Sequence, residues 1–165
     1  MSRPWLTSGS VERVIDAPAQ HLYGLVSDVT STGERSTECH RVEWLGGDQV
    51  PAVGSRFRGH NRSRLARWSR TCEIIEAEPG RVFAFRTVPT RLDPSRRDST
   101  TWRYELVGDG DRTLVRHSYE ITRLPSPPFR ALYGVLLPQH RDMRPAMQHT
   151  LDALAKAVEA GQSER

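Results

Sequence analysis

The sequence is almost without lysine. Of 24 basic residues, Lys156 is the only lysine, and arginine supplies the rest. Cysteine is scarce as well: Cys39 and Cys72 are the only two in 165 residues. Two are too few to read as a disulfide framework, and they point to a reducing compartment. No apolar run approaches the roughly 18 residues of a membrane span, so stable membrane insertion is not expected. The start, Met1-Ser2-Arg3-Pro4-Trp5, has no apolar core of the kind a secretory signal carries. A cytoplasmic location follows as the expectation.

Other absences narrow the chemistry. The chain has no repeat with a period of about 20–50 residues, which argues against a solenoid. It has no phosphate-binding loop, no dinucleotide glycine fingerprint and no Gly-x-Ser-x-Gly elbow. Nucleotide-dependent and serine-hydrolase chemistry are therefore disfavoured, no cofactor is expected, and cofactor-free catalysis stays open. Hydrophobic residues make up 36% and charged residues 27%, with a net charge of +4. That is globular composition on the polar side. The arginines are scattered over strands and loops instead of forming the concentrated stripe a nucleic-acid site needs, so no nucleic-acid partner is expected.

What is present alternates. The first strand covers residues 10–16, with Val11, Val14 and Ile15, and Pro18 suits the first turn of a helix over 18–28. A second helical turn follows up to Ser36. Strands are expected over 39–45, 55–62, 68–77, 82–88, 100–107 and 113–124, separated by turn signals such as Pro79-Gly80 and Asp109-Gly110. The C-terminus has helical spacing at Leu132, Leu136, Met143, Met147, Leu151, Leu154 and Val158. Pro138 breaks it into a short helix from about 129 and a long one over 139–160, with Gly161 as a stop signal. Short turns between successive strands predict one α+β domain over residues 1–165: a curved antiparallel sheet wrapped around a long C-terminal helix, with two short helices after the first strand. The gap such a sheet leaves beneath its helix is a natural ligand cavity.

Several segments in this order resemble the START-like, or polyketide cyclase/dehydrase and lipid-transport, superfamily (SRPBCC, Bet v 1-like). They are Val14-Ile15-Asp16-Ala17-Pro18, Val53-Gly54-Ser55-Arg56-Phe57-Arg58-Gly59, Glu78-Pro79-Gly80-Arg81-Val82-Phe83-Ala84-Phe85, Trp102-Arg103-Tyr104-Glu105-Leu106 with Arg112-Thr113-Leu114-Val115, and the Thr150-Leu151 helix. The resemblance spans about residues 10–160. It implies the helix-grip fold and an internal cavity. The superfamily holds lipid carriers, hormone receptors and aromatase/cyclases, so fold alone leaves the activity open.

Strand parity, with the helical spacing of the C-terminus, selects the candidates. Phe57, Asn61, Trp68, Phe83, Phe85, Trp102, Tyr104, His117, Tyr119, Met143 and Met147 are expected around the ligand. His117, Tyr104 and Asn61 are the candidates for acid–base work. The plainer reading of a histidine among apolar neighbours is a hydrogen-bonded core residue. Parity with Trp68, Cys72 and Ile74 turns Arg70 inward, where it would need a carboxylate or an anionic ligand group. A break in register would turn it outward. It reads as structural or solvated, because an unpaired charge is seldom buried. Glu38-Cys39-His40 matches no zinc spacing and alternation splits Cys39 from His40, so no metal is expected. Cys72 reads as a small buried apolar residue. The charged loop over 90–99 is either a lid or a solvated connection. Leu132, Tyr133, Leu136 and Leu137 could pack on the sheet, line the entrance or form a dimer contact, and the state is monomer or homodimer. The expected function is binding of a small hydrophobic ligand, such as a lipid or polyketide-like molecule, for sequestration or transport. The alternatives are a cofactor-free cyclase, dehydratase or aromatase using the same cavity, and an interaction or regulatory protein with a vestigial pocket.

Overall fold

Seven strands form one sheet in the computed structural model, which describes residues 4–47, 49–89 and 98–164. They are β1 (Ser8–Ile15), β2 (Cys39–Leu45), β3 (Arg56–Arg62), β4 (Arg67–Glu78), β5 (Val82–Val88), β6 (Ser99–Asp109) and β7 (Arg112–Arg123). Their order is β1-β7-β6-β5-β4-β3-β2, and every pair is antiparallel. The first strand thus lies beside the last. The chain crosses to the opposite edge through helix α1 (Ala19–Ser27) and a 3-10 turn (Val29–Glu34). After β7 come helix α2 (Pro127–Leu136), a 3-10 strap (Pro138–Arg141) and the long helix α3 (Arg144–Ser163).

The helical boundaries correct two expectations. Pro138 does end α2, but the residues after it form the strap, and α3 starts only at Arg144 with Pro145 in its first turn. Proline is tolerated there because its missing N–H has no partner to lose. Gly161 does not stop α3, which continues to Ser163. Glycine is a weak helix former, not an obligatory terminator.

Alternation decides what faces α3. On the inner face lie Ile15, Phe57, Cys72, Ile74, Phe83, Leu106 and Val115, packed with Leu22, Tyr23 and Val26 of α1 and Leu151, Leu154, Ala155 and Val158 of α3. The outer face carries cross-strand ion pairs. Glu73 of β4 holds Arg56 of β3 and Arg86 of β5. Glu76 reaches Arg103 over Ala84, which stands between them on β5. Glu12 of β1 takes Arg116 of β7. Many of the scattered arginines are therefore cross-strand partners of carboxylates, a use that stabilises sheets modestly.

Alternation fails in two places. Between Ile74 and Glu76 the register shifts, as it does between Cys39 and Arg41. A bulge of this kind bends the strand and swaps the inward parity beyond it. On β4 the inward set is Cys72 and Ile74 before the bulge, then Ala77 after it.

Candidate functional site

The core does not run the full length of the sheet. α1 and the C-terminal half of α3 fill one end. At the other end the sheet and the N-terminal half of α3 stand apart around a cavity of about 260 Å3. The division can be followed along single strands. On β5 Phe83 is fully buried in the core, in edge contact with Tyr23, whereas Phe85 lines the cavity. On β6 Leu106 belongs to the core, and Tyr104, Trp102 and Thr100 to the cavity. On α3 Met147 and Thr150 roof the space, while Leu154 and Val158 pack below.

Nine of the eleven sequence candidates meet around this space: Phe57, Asn61, Trp68, Phe85, Trp102, Tyr104, His117, Met143 and Met147. Phe83 and Tyr119 lie outside its lining, for different reasons. The α1 side chains Leu22 and Tyr23 occupy the space in front of Phe83. Tyr119 is drawn sideways over Gly9: a Cβ added there would lie 2.9 Å from the tyrosine ring and 3.0 Å from Arg144. Its hydroxyl donates to the Leu6 carbonyl at 3.2 Å. Tyr119 therefore fastens the N-terminal segment. Trp5 of that segment enters the cavity wall, a contribution no pattern in the sequence announces.

Two polar rings form one wall. His117 is 5% exposed and stacks on Tyr104. Its Nδ1 lies 3.1 Å from the Arg103 carbonyl oxygen. A carbonyl only accepts, so Nδ1 carries the proton and Nε2 keeps a free lone pair. Burial pushes the His117 pKa down to about 4, against the opposing pull of that hydrogen bond, so the ring is neutral near pH 7. Burial also pushes the Tyr104 hydroxyl up to about 12, although the nearby charge of Arg35 works against it. The pair thus offers an uncharged acceptor and an uncharged hydroxyl. Asn61 gives its amide to the Gly59 carbonyl of its own strand at 3.3 Å.

Arg70 takes the structural of its two expected readings. It is turned inward, lines the cavity, and pairs with Asp98: Nη1 donates to the carboxylate and Nη2 to the Asp98 carbonyl, both at 2.9 Å. The pairing removes the objection to burying it. Asp98 stands at the end of the charged loop, immediately before β6. The expected lid over 90–99 lies, apart from Asp98 and Ser99, outside the described residues. Cys72 beside this pair is buried, and burial raises its thiol to about 12, which leaves it protonated and unreactive.

The rim is built from residues far apart in sequence. Glu38 accepts from Gln139 Nε2 at 2.7 Å and is bound by His140 Nε2 at 2.9 Å. Burial alone would raise the Glu38 carboxyl, but the hydrogen bond and charge of His140, with Gln139, hold it below the usual carboxylate value. Trp68 meets His140 edge-on at 5.6 Å between ring centres. The 3-10 strap is thereby tied to the sheet across the cavity rim. Of the suspected trio, Glu38 and Cys39 line the cavity, whereas His40 points to solvent. Among the described residues no group of three or more His, Cys, Asp and Glu side chains is placed to hold a metal ion. No helix among them is long and apolar enough to cross a membrane.

The model of the family described as polyketide cyclase / dehydrase and lipid transport matches residues 7–159. The chain belongs to this family. Solved structures with the same helix-grip architecture include TTHA0849 from Thermus thermophilus, at 18% identity and TM-score 0.70, covering 93% of this chain and 98% of that one. The Zhui aromatase/cyclase from Streptomyces is 20% identical with TM-score 0.66, covering 96% and 95%. The polyketide-cyclase-like protein Cgl2372 from Corynebacterium glutamicum is 25% identical with TM-score 0.59, covering 96% and 95%. A comparison with curated proteins found no match. Family membership and fold agree with hydrophobic ligand binding and equally with cyclase or aromatase chemistry. The distinction between them rests on the cavity.

Proposed function

We propose that the protein binds a small, mainly apolar molecule between sheet and helix, to hold or carry it. The observation that supports this reading most is the unfilled 260 Å3 cavity beside a complete core. It lies just below the usual range of ligand-site volumes, about 300 to 1,000 Å3, which fits a small ligand. Phe57, Phe85, Trp102 and Met147 give it apolar walls, and a few polar groups would orient an occupant. A ligand hiding roughly 200 Å2 of apolar surface gains about 5 kcal/mol, before the ordering costs of binding. A pocket of vestigial kind, filled by the protein's own side chains, is a poorer description of the same space.

The second reading is cofactor-free cyclisation or dehydration, for which the structural likeness to the Zhui aromatase/cyclase speaks. The free Nε2 of His117 beside the Tyr104 hydroxyl favours it. The low basicity of His117 weighs against it, because a general base works best with a pKa near the working pH. As a neutral acceptor for a ligand hydroxyl, the same nitrogen is well suited.

Native mass spectrometry of the purified protein, followed by denaturing extraction, tests the binding reading. A co-purified apolar molecule supports it. An empty protein whose melting temperature is unmoved by a panel of fatty acids, terpenoids and aromatic polyketides overturns it. For the second reading, turnover that survives His117→Ala removes that residue from the chemistry.

A further inference from the structure

Among the described residues the ionic groups in the cavity wall are matched, with one exception. Arg70 has Asp98, and Glu38 has Gln139 and His140. Arg35 is also in the wall and is only 8% exposed, yet among the described residues no carboxylate meets it. Among the described residues its guanidinium makes one hydrogen bond, from Nη2 to the carbonyl oxygen of Leu25 at 2.8 Å. A guanidinium has five N–H donors, so most of its capacity is unmet by that carbonyl.

The position is held by backbone. Arg35 ends the 3-10 turn, with its N–H on the Thr32 carbonyl at 3.0 Å. The turn is pressed against β2 so closely that a Cβ on Gly33 would lie 2.7 Å from the His40 carbonyl oxygen. The side chain lines the same cavity as Tyr104, near enough for its charge to oppose the rise of that hydroxyl. A buried cation without a counter-ion is costly, and proteins neutralise such groups by pairing them.

We infer that the ligand of this cavity is an apolar molecule carrying a carboxylate, and that the carboxylate pairs with Arg35. The inference rests on the cavity being a ligand site. A planar guanidinium matches a planar carboxylate through two parallel hydrogen bonds, and the match strengthens where water is excluded. With Arg70 already neutralised by Asp98, Arg35 is the cation left for the ligand among the described residues. Tyr104 and His117 stand beside it as uncharged partners, so a second charge on the ligand would find no match there.

Calorimetric titration at pH 7.5 with two matched pairs tests this: 2-naphthoate against 2-naphthalenemethanol, and decanoate against decanol. The wild-type protein should bind the acid of a pair roughly tenfold to a hundredfold more tightly than its alcohol, the usual range for a hydrogen bond to a charged group. Arg35→Gln keeps a polar side chain and loses the charge, so it should abolish the preference for acid over alcohol. Arg35→Lys should retain part of the preference. Alcohols that bind as well as acids overturn the inference and leave the ligand-site reading standing. Failure of all four compounds to bind removes both. Crystals of the wild-type protein with 6-bromo-2-naphthoate give a check that needs no variant. The bromine fixes the orientation, and a carboxylate about 3 Å from Arg35 is expected. A carboxylate at Arg70 or in solvent overturns the inference.

Discussion

Tyr104 and His117 lie ring on ring, with centroids 3.9 Å apart and planes 4° apart. They are directly opposed in the β6–β7 register, so sheet geometry sets their approach. Protonating His117 would place a charge in that buried stack, and the protein resists it. The consequence is thermodynamic. A histidine whose folded pKa is lowered binds its proton more readily when unfolded. Stability is therefore lost as pH falls from the ordinary value of 6.5 towards about 4, and levels off below. The shift corresponds to about 3 kcal/mol. Urea unfolding of the wild type at pH 7, 5.5 and 4.5 should show this slope. His117→Phe, which keeps the stack, should show a markedly flatter one. Equal slopes would mean that His117 is not held neutral by the fold.

Arg70 and Asp98 form a pair whose side chains are 12% and 20% exposed. Removing one partner strands the other in a low-dielectric wall. Asp98→Ala is expected to cost about 2–4 kcal/mol, somewhat below the range for fully buried pairs. Adding Arg70→Met should recover most of the loss, giving a strong positive coupling in the double-mutant cycle. Additive losses would indicate that Arg70 finds another anion or water once Asp98 is gone.

These two sites show how far the sequence could be read. Period-two alternation around Phe57, Phe85, Trp102, Tyr104 and His117 was enough to gather the cavity wall, because a strand allows only two directions for its side chains. The same rule could not separate Phe83 from Phe85, which share a face. What separates them is how far α1 reaches along the sheet, a tertiary property. Arg70 was legible in direction, but its acceptability depended on Asp98, which is 28 residues away in the chain. Arg35 and Trp5 sit outside the strands, where no periodicity speaks, and Glu38 meets His140 across 102 positions. Contacts of that separation are fixed by the closed fold and leave no local signal.

Gly59 is the inner-face residue between Phe57 and Asn61, and it lines the cavity. A Cβ placed there meets Cys39 Sγ at 3.5 Å and the Asn61 amide at 4.0 Å, which is ordinary contact. Side chains at this position therefore grow into the empty space. Gly59→Leu should leave the melting temperature unchanged or raise it, through added apolar burial and a less flexible unfolded chain. It should also lower the affinity for 2-naphthalenemethanol by at least tenfold. Retained affinity would place the ligand elsewhere.

Glu38 ties the 3-10 strap to the sheet, and its carboxyl is held below its ordinary value of 4.5. A carboxylate with a lowered folded pKa contributes fully above its unfolded value, and its contribution fades as pH falls through the folded one. The strap should thus be secured at neutral pH and released in acid, below about pH 4.5. Release at the cavity rim ought to speed ligand escape. Stopped-flow displacement of 2-naphthalenemethanol, a neutral probe whose own charge cannot change, should show faster dissociation at pH 4 than at pH 7 in the wild type. Glu38→Gln should dissociate fast at both. His117, lowered to about 4, is also partly protonated at pH 4, so its effect is common to the two proteins. The difference between them isolates the rim. If the wild type and Glu38→Gln release the probe at the same rate at pH 7, the strap is not the exit.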